Sequence, residues 1–234
     1  MAQWKVQQLQ MLLEERDPRK MFDYATQMIQ ELGLVNVGLA LHLHVATRPP
    51  EIFLYNNYSD DWNAHYQHRS FLHQDPVAER CLHSSMPVLW EDELYDEAPD
   101  FRVLACRHGM RYGWTQAVHD QRHNQSVLSV SRPSRAIGEA EFYAKAAQVL
   151  WLCNSLHTAL SEYHLSHMAP TPKLSDRELE VLRWFAQGKT ASDTACILSL
   201  STSTVNFHIR NVYKKAELFN KSDAVRYAVM LGLI

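Results

Sequence analysis

Apolar positions in this chain recur mostly at three- and four-residue steps, with a few short stretches that alternate at two, so helices around a small sheet are expected. Residues 3–15 carry Trp4, Leu9, Leu12 and Leu13 on one helical side. Asp17-Pro18 then supplies a cap and a first-turn proline for a second helix, which runs toward Leu32 and stops at Gly33. Residues 37–45 alternate in the strand period, and residues 51–55 resume it after a turn-like segment at 47–50, which reads as a hairpin. Ser59-Asp60-Asp61 starts a helix that places Trp62 and Tyr66 four apart on one face, and Asp75-Pro76 opens another through Cys81. Residues 86–90 are extended, 101–108 helical up to Gly109, and 114–118 and 126–131 are paired strands around the polar loop 120–125. Residues 137–163 form one long helix.

The last third is patterned as short helices separated by polar turns. Ser175 precedes Glu178 by three residues, a capping-box spacing, ahead of Leu179, Val181, Leu182 and Phe185 and a stop at Gly188. Thr190 caps a helix expected to turn Ala195, Ile197 and Leu198 inward. Ser201, Thr202 and Ser203 then open a third, whose buried stripe is Val205, Ile209, Val212 and Ala216. Asn220 or Ser222 caps the last helix, which carries Ala224, Val225, Tyr227, Ala228 and Leu231 up to Gly232. Four helices thus share one core. The third leaves Thr204, Asn206, His208, Arg210, Asn211, Lys214 and Lys215 outward, amides and hydroxyls for base edges beside cations for phosphates.

Composition sharpens the division. Net charge is −3, but from Lys173 onward nine Lys and Arg face six Asp and Glu, a net of +3 on the part patterned to meet DNA. Residues 167–173, with Pro170 and Pro172, read as the linker, since two prolines so close prevent a helix from continuing. The apolar fraction of 46% suits packed domains. Cys81, Cys106, Cys153 and Cys196 lack any Cys-x-x-Cys pairing, which argues against a disulfide framework or zinc cage and fits a reducing cytoplasm. No stretch approaches a membrane span, and the N-terminus lacks a signal-peptide core, so a cytoplasmic protein without membrane contact is expected.

At LSDRELEVL, GKT, LSLSTSTVNFH, Asn211, Lys215 and the terminal Gly232-Leu233-Ile234, the chain resembles the DNA-binding domain of the LuxR-type regulators. It departs at Asp193-Thr194-Ala195, where Glu-Ile-Ala is usual, and at Ala216, where Leu is common; both changes remove core volume. The DNA-facing set expected from pattern and resemblance together is Lys189, Thr190, Ser201, Thr204, Val205, Asn206, His208, Arg210, Asn211, Lys214 and Lys215, with Val205 counted in the buried stripe as well.

Tyr58, Trp62, Tyr66, Asp75 and Trp90 gather large aromatics around one carboxylate, a composition able to line an apolar pocket, although such aromatics are ordinarily plain core. The order Asn57-Tyr58, Trp62, Tyr66, Asp75-Pro76-Val77 and Trp90 also resembles the autoinducer-binding domain of the same family. The resemblance implies an N-acyl-homoserine lactone bound between sheet and helices. Trp62 would donate its indole N–H to the lactone carbonyl, Asp75 would accept the amide N–H, and Tyr66 and Ser129 would meet the acyl carbonyl. Gly113 would keep the pocket wall thin. The loop DQRHNQ departs from the family's glycine-containing loop.

The expected fold is therefore α+β: an α/β/α sandwich sensor with an antiparallel sheet flanked by helices, residues 1–168, then a linker, 169–172, and an all-α four-helix helix-turn-helix domain, 173–234. The expected function is a quorum-sensing transcription factor, a homodimer that binds a palindromic operator in double-stranded DNA and has RNA polymerase as a further partner. The alternative is a solo regulator answering another small molecule or none. No cofactor, catalytic residue or metal is expected. His42-x-His44 lacks a third ligand at the usual spacing, and His65-x-x-His68 and His164-x-x-His167 read as solvated faces. A phosphorylation receiver would need clustered early aspartates, and a lactone hydrolase would need nucleophile or metal machinery; neither pattern is found.

Overall fold

A computed structural model describes residues 4–44, 50–68, 75–168 and 172–234 of the chain. They fall into two compact units whose main division lies between Leu165 and Ser166. The 47–50 turn, apart from Pro50, and the linker 169–172, apart from Pro172, lie outside the described residues.

In the first unit the elements are α1 (Val6–Glu14), α2 (Pro18–Glu31), β1 (Asn36–Leu43), β2 (Glu51–Asn56), α3 (Asp60–His68), α4 (Pro76–His83), β3 (Val88–Leu89), a 3₁₀ turn (Asp92–Tyr95), α5 (Pro99–Arg107), β4 (Tyr112–His119), β5 (Gln125–Arg132) and α6 (Glu139–His167). The Asp-Pro pairs act as expected. Asp17 accepts from the Arg19 and Lys20 amides at 2.8 and 3.2 Å and Asp75 from the Val77 amide at 2.9 Å, each proline occupying the first turn, where its missing N–H costs nothing.

The five strands order as β2-β1-β5-β4-β3, with β1–β5, β5–β4 and β4–β3 antiparallel. Alternation gives the sheet two faces. On one, Val37, Leu39 and Leu41 of β1 stand opposite Val130, Leu128 and Ser126 of β5. This face meets α6: Trp114 packs edge-on against Phe142 at 5.6 Å, Ser126 Oγ bonds His157 Nδ1 at 2.8 Å, and the buried Val149, Leu152, Cys153, Leu156 and Leu160 belong to the same helix. The other face carries Ala117 and Val127 into a separate core with α3, α4 and α5. The result is a helix–sheet–helix sandwich. One detail differs from the expected pattern: Leu13 is exposed, because the stripe of α1 that packs is narrower than its apolar sequence, with only Leu12 fully buried.

Where β5 hands over to α6, Arg132 makes two 2.7 Å bonds to the two carboxylate oxygens of Glu141, which also accepts from Lys145 Nζ at 2.5 Å. The Arg132 guanidinium, joined by the Lys145 ammonium and against the upward push of burial, holds the Glu141 carboxyl down at about 2. The depressed value means that this contribution is full above the ordinary Glu range and is lost as pH falls toward 2.

The second unit comprises α7 (Asp176–Ala186), α8 (Ala191–Leu198), α9 (Thr202–Lys215) and α10 (Lys221–Met230). Ser175, Thr190, Ser201 and Asn220 each cap one helix by accepting a backbone N–H, and Gly188 and Ser199 take positive φ, +88° and +55°, to end α7 and α8. Val181, Leu182, Ala195, Val205, Ile209, Val212, Ala216, Ala224, Tyr227 and Ala228 form one core. Ile197 is not part of it: at 44% exposure it points away, because α8 is only two turns long and its packed side is taken by Thr194 and Ala195. Thr194 is fully buried, and its hydroxyl has no hydrogen-bond partner among the described residues.

Two stability outcomes follow. Glu141→Gln should cost the first unit roughly 3 kcal/mol at neutral pH by leaving the buried Arg132 half-paired. Thr194→Val should raise the stability of the second unit by about 1 kcal/mol, because it removes an unsatisfied buried hydroxyl at nearly constant volume. Urea titrations followed by far-UV dichroism check both, and a destabilised Thr194→Val would show that the hydroxyl is satisfied.

Candidate ligand cavity and nucleic-acid face

The second face of the sheet is built in rows. Antiparallel register sets Gly38, Ser129 and Thr115 side by side, then Ala40, Val127 and Ala117, then His42, Gln125 and His119. The rows read hydroxyl, small apolar and polar, at about 6.8 Å per two residues. Small residues in the middle row leave room under the helices, and a cavity of about 600 Å³ occupies it, within the roughly 300–1,000 Å³ usual for small-molecule sites. Tyr58, Trp62, Tyr66, Asp75, Trp90 and Ser129, all expected at the site, line it.

The aromatic wall is mutually braced. Trp62 is 4% exposed, with Tyr66 and Phe101 rings each 5.8 Å from its own and Tyr58 edge-on at 6.5 Å. Trp90 Nε1 donates to Thr115 Oγ1 at 3.0 Å, and Thr115 lies 2.9 Å from Ser129 Oγ. Thr115 can therefore donate its own hydroxyl hydrogen bond to Ser129 Oγ, whose hydroxyl hydrogen then turns to the cavity. Asp75 has two duties: its carboxylate caps α4 and also lines the cavity. Burial pushes its pKa up to about 6, against the pull of the Val77 and Ala78 amides, and the same burial raises the phenols of Tyr58 and Tyr66.

Gly113 lies behind Trp90 in the cavity wall and does not itself line the cavity. A side chain there would overlap the Val130 carbonyl and Ser131 and come within 2.9 Å of the Trp90 ring, so Gly113 is what lets Trp90 lie against β4. Gly38, missed from sequence, has the comparable role toward Tyr58, whose hydroxyl occupies the space a Cβ would need. Thr115, Tyr95, Phe101 and Met110 were missed as well. Thr115 had a legible signal, the strand alternation that pairs it with Ser129; the other three reach the site only through helix packing. The DQRHNQ loop is closed by Asp120, which accepts from the amides of Arg122 and Asn124 and from Asn124 Nδ2, each at 2.8 Å, with His123 at φ +61°. His164 is not solvated but stacks on Phe53 at 3.6 Å and bonds the Tyr55 hydroxyl at 2.6 Å.

On the second unit, α8, the turn at Ser199 and α9 make a helix-turn-helix. The outermost stripe of α9 is Ser203, Phe207, Arg210 and Lys214, all exposed, flanked by the half-buried Thr204, Asn206, His208 and Asn211. Lys189, Thr190 and Ser201 are exposed too, although Thr190 and Ser201 are engaged as caps. Phe207, 60% exposed, was missed; its spacing of four from Ser203 and three before Arg210 carried the signal. Two expected residues are corrected. Val205 is fully buried in the core and presents nothing to DNA. Lys215 is bound inward: its Nζ lies 2.7 Å from Glu178 Oε2, a carboxylate only 4% exposed, and Ser175 N–H donates to the same oxygen at 2.7 Å. Burial raises the Glu178 pKa, but Lys215 and the Ser175 donors outweigh it and hold the group below its ordinary value.

A family model described as an autoinducer binding domain matches residues 17–160, and one described as bacterial regulatory proteins of the luxR family matches residues 172–228. The chain is 35% identical to Regulatory protein SdiA of Escherichia coli (strain K12) over 206 residues, 88% of this chain and 86% of that one. It is 31% identical to the HTH-type quorum-sensing regulator RhlR of Pseudomonas aeruginosa, covering 93% of this chain and 91% of that one. The solved structure of SdiA in complex with octanoyl-rac-glycerol is similar at a TM-score of 0.78 and 31% identity, covering 98% of this chain and 97% of that one.

The inward tie of Lys215 separates two mutant classes. Lys215→Met should lower the stability of the second unit by roughly 2–3 kcal/mol, since Glu178 is then buried without its cation. Arg210→Ala should leave melting unchanged. Thermal melts of both variants decide, and an unaltered Lys215→Met would show that Lys215 is free for phosphate.

Proposed function

This chain belongs to the luxR family of bacterial regulatory proteins, as an autoinducer-binding transcription regulator, and from that membership we propose that its ligand is an N-acyl-homoserine lactone and its DNA target a palindrome read by a dimer. The observation that carries the ligand reading is a buried carboxylate, Asp75, in a cavity of about 600 Å³ walled by Tyr58, Trp62, Tyr66 and Trp90. An amide N–H meets Asp75, the lactone carbonyl accepts from Trp62, and the acyl carbonyl faces Tyr66 and Ser129. The acyl chain runs over the small row Ala40, Val127 and Ala117. Each polar group of the ligand is thereby paired, and a molecule that leaves one unpaired loses on the order of 1–3 kcal/mol. The protein binds the lactone without transforming it.

In this proposal the sensor spans residues 1–168, a linker 169–172, and the DNA-binding unit 173–234. Arg210, Asn206 and Thr204 read base edges, with Lys214 and Lys189 on phosphates, and Phe207 offers an apolar contact to a thymine methyl. Tyr143, Leu150 and Trp151, exposed at 72, 40 and 38% on α6, favour a second copy of this chain as the dimer partner. RNA polymerase is the further partner at a promoter. A second ligand reading, an acyl ester without an amide N–H, is favoured by the octanoyl-rac-glycerol held by SdiA.

Asp75 distinguishes the two ligands. Asp75→Asn should weaken binding of an N-acyl-homoserine lactone by about 1.5–3 kcal/mol, because an amide N–H loses a charged acceptor, and should barely change binding of an acyl glycerol. Trp62→Phe should right-shift the lactone response in a reporter assay. Mass spectrometry of ligand retained after expression with mixed lactones identifies the occupant, and recovery of none would defeat the lactone assignment.

A pH dependence follows as well. Because the folded Asp75 pKa is raised, its contribution to the empty sensor is full below the ordinary Asp range and is lost as pH rises through about 6. A ligand N–H needs the ionised form, so the dissociation constant should rise roughly tenfold from pH 7 to pH 5, and Asp75→Asn should abolish that slope. Titration calorimetry at the two pH values checks this, and parallel slopes in the two proteins would place the proton elsewhere.

A further inference from the structure

Outside the cavity, behind the Trp62 wall, three metal-ligating side chains from two elements converge. Asp61 and His65 stand one turn apart on α3, and His108 caps the C-terminus of α5. One ligating atom of each lies within 4.8 Å of the others. His108 Nε2 is 3.5 Å from Asp61 Oδ2, and His65 Nδ1 is 3.5 Å from Asp61 Oδ1. Ligands at about 2.0–2.1 Å from a tetrahedral ion stand roughly 3.3 Å apart, so the spacing is already close to that of a shared cation. The carboxylate, whose side chain is 70% exposed, can rotate to close the remainder.

The His108 ring is arranged for this. His65 Nδ1 lies 2.7 Å from the Asp61 carbonyl oxygen and donates to it; to ligate beside Asp61 Oδ1 the ring takes its other neutral tautomer, with the proton on Nε2 and the lone pair on Nδ1. His108 Nδ1 lies 3.1 Å from the Ser59 hydroxyl, which leaves its Nε2 toward Asp61. A hydrogen bond on the far nitrogen is the arrangement that orients a ligating imidazole. The Trp62 ring 5.6 Å from that of His108 further limits its rotation. Histidine pairs joined by a carboxylate suit zinc and its neighbours in the transition series, not magnesium or calcium.

We propose that Asp61, His65 and His108 bind one divalent transition-metal ion, which ties α3 to the end of α5 across the outer side of the ligand cavity. These two elements carry Trp62 and Tyr66, and Phe101 and Ala105, all of them cavity-lining. An ion there fixes their spacing, so metal and small-molecule ligand each strengthen the other's binding by the same factor. The metal site itself does not depend on which small molecule the cavity takes.

Zinc chloride titrated calorimetrically into the full-length, metal-stripped chain without any lactone tests the site directly. One equivalent should bind, and His65→Gln, Asp61→Asn and His108→Gln should each weaken it by about tenfold or more, in line with the sensitivity of metal sites to their supporting residues. His167→Gln, at an exposed histidine elsewhere, should leave it unchanged. Cobalt(II) gives a second readout through its visible absorption, which the same three substitutions should remove while far-UV dichroism shows the fold intact. Absence of stoichiometric zinc binding by the wild type, or equal binding by the three variants, overturns the proposal; a failed lactone titration would bear on the cavity alone.

Discussion

A carboxylate inside an apolar cavity is the constraint around which the sensor is arranged. Asp75 loses water there, and its raised pKa measures the cost. The structure offsets part of it with the first-turn amides of α4, which Asp75 would cap in any helix of this kind. What remains is a buried acceptor that lines the cavity together with Tyr66, Trp62 and Tyr58. A ligand donor supplies what water supplied, so the group that burdens the empty protein is the one that selects the occupant.

The sheet makes the cavity by what it omits. Antiparallel register places Gly38, Ala40, Ala117 and Val127 on one face while Val37, Leu39, Trp114 and Leu128 fill the other. Large residues seal the sheet to α6, and small ones leave room between it and α3, α4 and α5. A one-residue slip would exchange the two sets, so the cavity is as firmly specified as the core behind it. Gly113 and Gly38 belong to this logic, since each admits a ring, Trp90 or Tyr58, that a side chain would displace.

In the DNA-binding unit, helices too short to be stable alone are held by caps, a shared core and the salt bridge from Lys215 to the buried Glu178 carboxylate. Glu178 completes the cap of α7 and receives Lys215 from the end of α9, so the helix that carries Arg210 and Phe207 is tied at its far end to the first helix of the unit. A cation that reads as surface charge thereby becomes part of the frame that aims the others.

Local rules are legible in the amino-acid order because their causes lie within a few residues. The Asp-Pro helix starts, the Ser175–Glu178 capping box, the positive-φ glycines after α2, α5 and α7, and the buried stripe of α9 depend on neighbours three or four positions away. The two-unit organisation, and the meeting of Tyr58, Trp62, Tyr66, Asp75, Trp90 and Ser129 at one cavity, were legible from pattern and resemblance together. Tertiary structure alone decided which apolar residues of a helix face inward, leaving Leu13 and Ile197 outside. It also decided that Gly113 serves Trp90, that Lys215 serves Glu178, and that His108 meets Asp61 and His65. These pairings join positions tens of residues apart. They exist only once the chain has closed on itself, when burial turns a nearby charge, ring or lone pair into a partner.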